Sequence, residues 1–354
     1  MEIELLPVTD EKKPVTDESQ LQFGKQFTDR MFVMEYQAGK GWHNARIQPY
    51  APFTLDPAAM VFHYAQEIFE GLKAFRRPDG AVTLFRPSDN VARFNLSARR
   101  MCMPEIDEEF FLGALQQLVK LEADWVPQSE GTSLYIRPAM IATEPMLGVR
   151  PAEQYICYII LSPVGAYYKG GIAPVKIWIS DHYTRAAQGG TGEVKTGGNY
   201  AASLLAAREA AEKGYDQVLW LDAREKKYVE EVGSMNICFV YDGKLITSPL
   251  HGTILDGITR RSVLRLARDM GMDVVEKALT VDEIFEGIES GRLTEAFGTG
   301  TAVVVSPVGQ FTYRDRTVTL GDGNTGEVTQ KLYDTLTGIQ YGRIPDSYGW
   351  TIEL

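Results

Sequence analysis

Gly189-Gly190-Thr191-Gly192-Glu193-Val194-Lys195-Thr196-Gly197-Gly198-Asn199-Tyr200 sets one lysine among glycines, directly ahead of an alanine-rich, helix-forming segment. Glycine lets backbone approach a neighbour closely. Three readings compete for Lys195. It is an exposed lysine in a loop, the lysine of a phosphate loop, or an amine that forms an imine with an aldehyde cofactor. A phosphate loop of the G-x-x-x-x-G-K-[ST] kind needs glycine before the lysine, where this chain has Val194. Gly197-Gly198 also interrupts the helix that should start at the lysine. A nucleotide-binding protein built on residues 189–198 is therefore the competing class.

The imine reading makes further demands. Pyridoxal phosphate needs an acid near its ring nitrogen, a donor near its phenolic oxygen and a phosphate cradle. Glu230-Glu231-Val232-Gly233-Ser234-Met235-Asn236 puts a carboxylate just before a glycine and a strand. Gly257-Ile258-Thr259 opens a helix, whose free N–H groups suit a phosphate. Gly298-Thr299-Gly300-Thr301 is a second compact loop with hydroxyls.

The 354 residues suggest two domains. Hydrophobic content of 44% and charged content of 23% are ordinary for a soluble globular chain. No apolar run approaches a membrane span, and Met1 to Gln20 is acidic and polar, unlike a secretory or transit signal. Cys102, Cys157 and Cys238 are scattered, which fits reduced thiols in a cytoplasmic protein. His43, His63, His182 and His251 show no metal-ligand spacing, so no metal is expected. A net charge of −11 disfavours nucleic-acid binding and requires any anion site to supply local positive charge.

Asp79-Gly80 between Leu72–Phe75 and Val82–Phe85, and Asp242-Gly243 between Asn236–Tyr241 and Leu245–Thr247, predict hairpins. Pro174 to Ser180 alternates like a strand, and Val218 to Leu221 reads as a buried one. Helices are predicted from Ser88 as a cap, after Asp107 to Glu109, over Tyr200 to Glu212 with Asn199 as cap, over Arg260 to Met270 with Thr259 as cap, and over Asp282 to Glu289. Strands, hairpins and helices are mixed, so the fold class is α+β. Lys169 to Pro174 reads as a linker. The expected division is a small α/β domain over 1–169, with 1–20 a mobile extension, a linker at 170–174 and a larger domain over 175–354.

The chain resembles the branched-chain amino acid aminotransferases from about residue 20 to its end. The resemblance is carried by Phe69-Glu70-Gly71-Leu72-Lys73-Ala74-Phe75, Ser133-Leu134-Tyr135-Ile136-Arg137-Pro138, Leu147-Gly148-Val149, Lys195 with Gly197-Gly198-Asn199-Tyr200, Glu231-Val232-Gly233-Ser234-Met235-Asn236, and Gly300-Thr301-Ala302. It implies a fold type IV pyridoxal-phosphate enzyme with the cofactor at the domain interface, a larger domain of pseudo-barrel form, and a homodimer. It matches Lys195 to the Schiff-base lysine, Glu231 to the acid facing the pyridine nitrogen and Tyr200 to the phenol on the ring oxygen. Arg93, Ile258, Thr259 and Thr301 match phosphate contacts, Leu255 the residue packed on the ring, and Arg185 an arginine near its phenolic side.

The same resemblance assigns Phe23, Tyr64, Phe69, Tyr135 and Tyr167 to the wall of the substrate pocket, and Arg137 to glutamate. Thr301 and Ala302 would hold the substrate carboxylate, and Leu147 and Val149 would reach in from the partner subunit. The implied reaction moves the amino group of leucine, isoleucine or valine to 2-oxoglutarate, giving branched 2-oxo acids and glutamate. D-amino acid aminotransferase and aminodeoxychorismate lyase share the fold and stand as alternatives. The C-x-x-C pair of mammalian members is replaced by Val303 and Ser306.

Overall fold

A computed structural model describes residues 1–12, 14–165 and 172–354. Tyr167 and the first part of the expected linker lie outside the described residues. The chain divides into two compact units, one of 1–167, 194–197 and 339–354 and the other of 168–193 and 198–338.

The first unit carries β1 (Glu4–Leu5), β2 (Arg30–Gln37), β3 (Gly41–Pro49), β4 (Glu67–Phe69), β5 (Leu72–Arg76), β6 (Val82–Phe85), β7 (Ser133–Ala142) and β8 (Gln154–Val164). They pair in the order β1-β3-β2-β8-β7-β5-β6, ending on the C-terminal strand Thr351–Glu353, with β4 beside β7. The pair β5–β6 is the hairpin expected at Asp79-Gly80. Helices α1 (Met60–Tyr64), α2 (Pro87–Arg100) and α3 (Glu108–Leu121) complete the unit. Asp107 caps α3 by accepting from Phe110 N at 2.8 Å, and Phe111, Leu115, Leu118 and Val119 form its buried stripe. Phe94 of α2 stacks on Phe111 at 5.4 Å, over Leu72, Ala74, Leu134 and Ile136 in one core. Strand alternation therefore turns Lys73, Tyr135 and Arg137 to the other face of the sheet.

Ser88 does not cap α2. Arg86 precedes the helix at φ 49° and Pro87 takes its first position, where the missing N–H costs nothing.

The second unit carries β9 (Val175–Ile179), β10 (Gln217–Leu221), β11 (Val229–Val232), β12 (Met235–Tyr241), β13 (Lys244–Thr247), β14 (Val274–Glu276), β15 (Leu293–Gly300), β16 (Val304–Tyr313) and β17 (Arg316–Thr319). The pairings run β11-β10-β9-β16-β15-β12, and β12 pairs back with β11, so six strands close a ring. Val175, Ile177 and Ile179 point into its core, as the alternation predicted. Asp242 and Gly243 both have positive φ in the β12–β13 hairpin.

Its helices are α4 (Gly197–Ala201), which starts on the last residue of the first unit, α5 (Leu204–Glu212), α6 (Ile258–Asp269), α7 (Val281–Glu289) and α8 (Glu327–Gln340), which ends in the first unit. Two further caps differ from expectation. Asn199 lies inside α4, because its side chain turns back to bond Thr191 O at 2.7 Å and Thr191 Oγ1 at 2.8 Å. Gly257, not Thr259, precedes α6. Helix α7 opens on a capping box of Thr280 and Glu283. Among the described residues no helix is long and apolar enough to cross a membrane.

Candidate active site

In the first unit, the segment Val194–Gly197 is tied down at every residue after Val194, which is itself buried. Lys195 N donates to Ser97 Oγ of α2 at 3.0 Å, and Lys195 O accepts from Phe69 N at 3.1 Å. Thr196 Oγ1 donates to Glu67 O at 2.8 Å, and Gly197 N donates to the Glu67 carboxylate. A Cβ at Gly197 would lie 2.3 Å from Glu67 Oε1, so glycine is what lets this carboxylate reach the backbone. Burial pushes the Glu67 carboxyl above the usual range, against those two bonds and Arg137. The Lys195 ammonium stands 4.8 Å over the Phe69 ring.

Arg93, on α2, is buried in a two-point ion pair with Glu70. Its Nε donates to Oε1 at 2.7 Å and its Nη2 to Oε2 at 3.0 Å.

Phe23 meets Tyr135 edge-on at 4.8 Å, and the Arg137 guanidinium lies 4.5 Å over Phe69 while Nη2 donates to Tyr135 Oη at 2.9 Å. A Cβ at Gly71 would lie 2.0 Å from that phenol oxygen. The Tyr64 hydroxyl donates to Leu147 O, and Leu147 and Val149 are 64% and 85% exposed.

In the second unit, Glu231 sits on β11, paired to Trp220 of β10 and Asn236 of β12. Its carboxylate is buried. Arg185 Nη1 approaches Oε2 at 2.8 Å, and Asn236 Nδ2 donates to Oε1 at 2.9 Å. Arg185 is itself fixed, donating to Thr253 O at 2.9 Å and Gly192 O at 3.3 Å. Asn236 also donates to Leu255 O at 2.8 Å, and a Cβ at Gly257 would strike its Oδ1 at 2.0 Å. Asn236 thus packs the start of α6 against the strand that bears Glu231. Arg185, Tyr200, Glu231, Ser234 and Leu255 line one small cavity.

Among the described residues no side chain caps α6, so the first-turn N–H groups that include Ile258 and Thr259 point outward from a helix start. Thr301 and Ala302 form the turn between β15 and β16. The adjacent Thr299 Oγ1 is buried without a partner among the described residues.

Residues 67–311 match the model of the amino-transferase class IV family. The chain is 55% identical over 347 residues to branched-chain-amino-acid aminotransferase 2 of Bacillus subtilis (strain 168), covering 98% of this chain and 96% of that one. This chain belongs to the class IV aminotransferases. It is also 56% identical over 343 residues to branched-chain-amino-acid transaminase 1 of the same organism, with 97% and 96% covered. Among solved structures, it is similar to a T.th. branched-chain amino acid aminotransferase complexed with N-(5'-phosphopyridoxyl)-L-glutamate. There the TM-score is 0.73 and the identity 28%, over 90% of this chain and 97% of that one.

Four residues of this class IV aminotransferase escaped a reading by motif roles. Glu67 and Ser97 hold the lysine segment, Glu70 holds Arg93, and Asn236 holds Glu231. Glu70 and Asn236 stood inside quoted motifs with no role. Glu67 and Ser97 carry no local signal, since they meet Lys195 only through the fold.

Proposed function

We propose that this protein is a branched-chain L-amino acid aminotransferase that uses pyridoxal 5'-phosphate, 2-oxoglutarate and glutamate. The observation that carries the reading is Lys195, whose backbone is bonded on both sides while its amine stands over Phe69. The residues present fit the cofactor. A buried carboxylate at Glu231, the uncapped start of α6 and the buried hydroxyl of Thr299 are the kinds of group a phosphorylated pyridine requires.

When bound, the cofactor withdraws electrons from the substrate α-carbon. Lys195 would hold it and shuttle the α-proton. Glu231, paired with Arg185 at 2.8 Å, would keep a ring nitrogen protonated, and Tyr200 would donate to the ring oxygen. Arg93, Ile258, Thr259 and Thr301 would take the phosphate, Leu255 would pack on the ring, and Ala302 with Thr301 would take the substrate carboxylate.

Phe23, Phe69 and Tyr135 would form an apolar wall for an aliphatic side chain, with Tyr64 and Tyr167, while Arg137 would answer the second carboxylate of glutamate. The exposure of Leu147 and Val149 supports a homodimer in which each serves the partner's site. The scattered thiols support a cytoplasmic place. The test is a donor panel with 2-oxoglutarate. L-leucine, L-isoleucine and L-valine should yield glutamate and D-leucine should not. Activity with D-leucine alone, or pyruvate release, would favour the other activities of this fold.

A further inference from the structure

We propose that Glu70 is a positioning residue for this reaction, fixing the Arg93 guanidinium and supplying the negative charge that faces Lys195. The inference rests on the reading of Lys195 and Arg93 given above. Glu70 follows β4 and is 1% exposed. A buried carboxylate is costly unless it is fully paired. Glu70 meets that condition with four donors. Besides the two from Arg93, Asn90 Nδ2 donates at 2.7 Å and Gly71 N at 3.1 Å. Burial pushes its carboxyl up, but Arg93, Lys195 and Asn90 together hold it below the usual carboxylate range.

Glu70 directly follows Phe69, whose N–H donates to Lys195 O at 3.1 Å and whose ring lies 4.8 Å from Lys195 Nζ, so its charge stands beside the lysine. Other ionic groups of this unit close by, among the described residues, include Arg93 on α2, Arg137 on β7 and Glu67 on β4. Glu67 is committed to Thr196 and Gly197, and Arg137 to Tyr135 and Phe69. Glu70 is the carboxylate that stands against both cations, Arg93 in direct contact and Lys195 beside it. Asn90, one helical turn before Arg93, braces it from the same helix.

The test titrates the visible absorbance of the cofactor-loaded protein, which reports the proton on the lysine nitrogen, in wild type, Glu70→Gln and Glu70→Asp. Negative charge favours the protonated nitrogen, so the Glu70→Gln midpoint should fall by about one pH unit. Glu70→Asp keeps the charge one methylene further back. Its midpoint should stay within about 0.3 units of wild type, while cofactor loss on dialysis quickens several-fold because the two-point grip on Arg93 is strained. A folded Glu70→Gln protein with the wild-type midpoint overturns the proposal. Should Glu70→Gln fail to fold, Glu70→Asp decides alone: a full-unit displacement overturns it, and a retained midpoint with faster release supports it. Absence of a Lys195-dependent band in the wild type would instead sink the functional reading itself.

Discussion

Replacing Gly192 with alanine tests how the glycine loop supports the acid site. The added Cβ would lie 2.4 Å from Thr253 O and 2.5 Å from Ala186 Cβ. Neither atom can turn aside, because one is backbone and the other is the first side-chain carbon. Both loops must move by roughly 1 Å to reach ordinary contact, and overpacking of this kind costs about 1–3 kcal/mol. At roughly 2–4 °C per kcal/mol for a unit of this size, Tm should fall by about 2–12 °C.

The damage should also reach the chemistry. Arg185 bonds the carbonyls of both Thr253 and Gly192 and delivers its guanidinium to Glu231. Thermal denaturation with and without cofactor, together with a cofactor titration, measures both effects. The expected result is a lower Tm in each state and weaker cofactor binding. A Gly192→Ala protein that melts within about 1 °C of wild type and binds cofactor equally well would refute the reasoning.

Three further outcomes follow from single sites. Gly71→Ala should push the Tyr135 phenol off Arg137 and raise KM for leucine several-fold, with kcat and Tm much less affected; equal losses in all three would contradict a role in the pocket wall. Phe311→Ala, fully buried on β16, should cost about 3–5 kcal/mol in urea denaturation with little change in KM. Lys73 is pushed down to about 8 from 10.5 by burial. The folded pKa lies below the unfolded one, so the unfolded chain binds more protons between those values and stability rises with pH there. Wild type should gain up to about 3 kcal/mol on Lys73→Met between pH 8 and pH 10.5, read by denaturation at several pH values; a flat difference would contradict it.

Local grammar made much of the fold legible. The hairpins at Asp79-Gly80 and Asp242-Gly243 and the alternation of β9 are short-range signals, and they appear where the residues put them. The caps were less legible because several residues compete for one helix start. Pro87 displaced Ser88, and Asn199 found Thr191 in the loop before it rather than free N–H groups after it. Closure of the ring through β11 and β12, and the pairing of Thr351–Glu353 with β6, depend on contacts far apart in sequence, and no residue pattern announced them.

The candidate site divides in the same way. Lys195 and Glu231 were visible because glycines and strand residues frame them. Their supports were not, since Ser97, Glu67, Glu70 and Asn236 act through side chains brought in by the fold.

The most direct test of the account is Lys195→Ala, measured by visible absorbance with pyridoxal phosphate and by glutamate formation from L-leucine and 2-oxoglutarate. Lys195 bonds its segment through backbone N–H and C=O, which alanine retains, so the variant should fold with a Tm close to wild type. The account predicts that the Lys195-dependent absorbance disappears and that transfer falls by several orders of magnitude. A folded Lys195→Ala protein that keeps the band and transfers the amino group at a rate near wild type would contradict it.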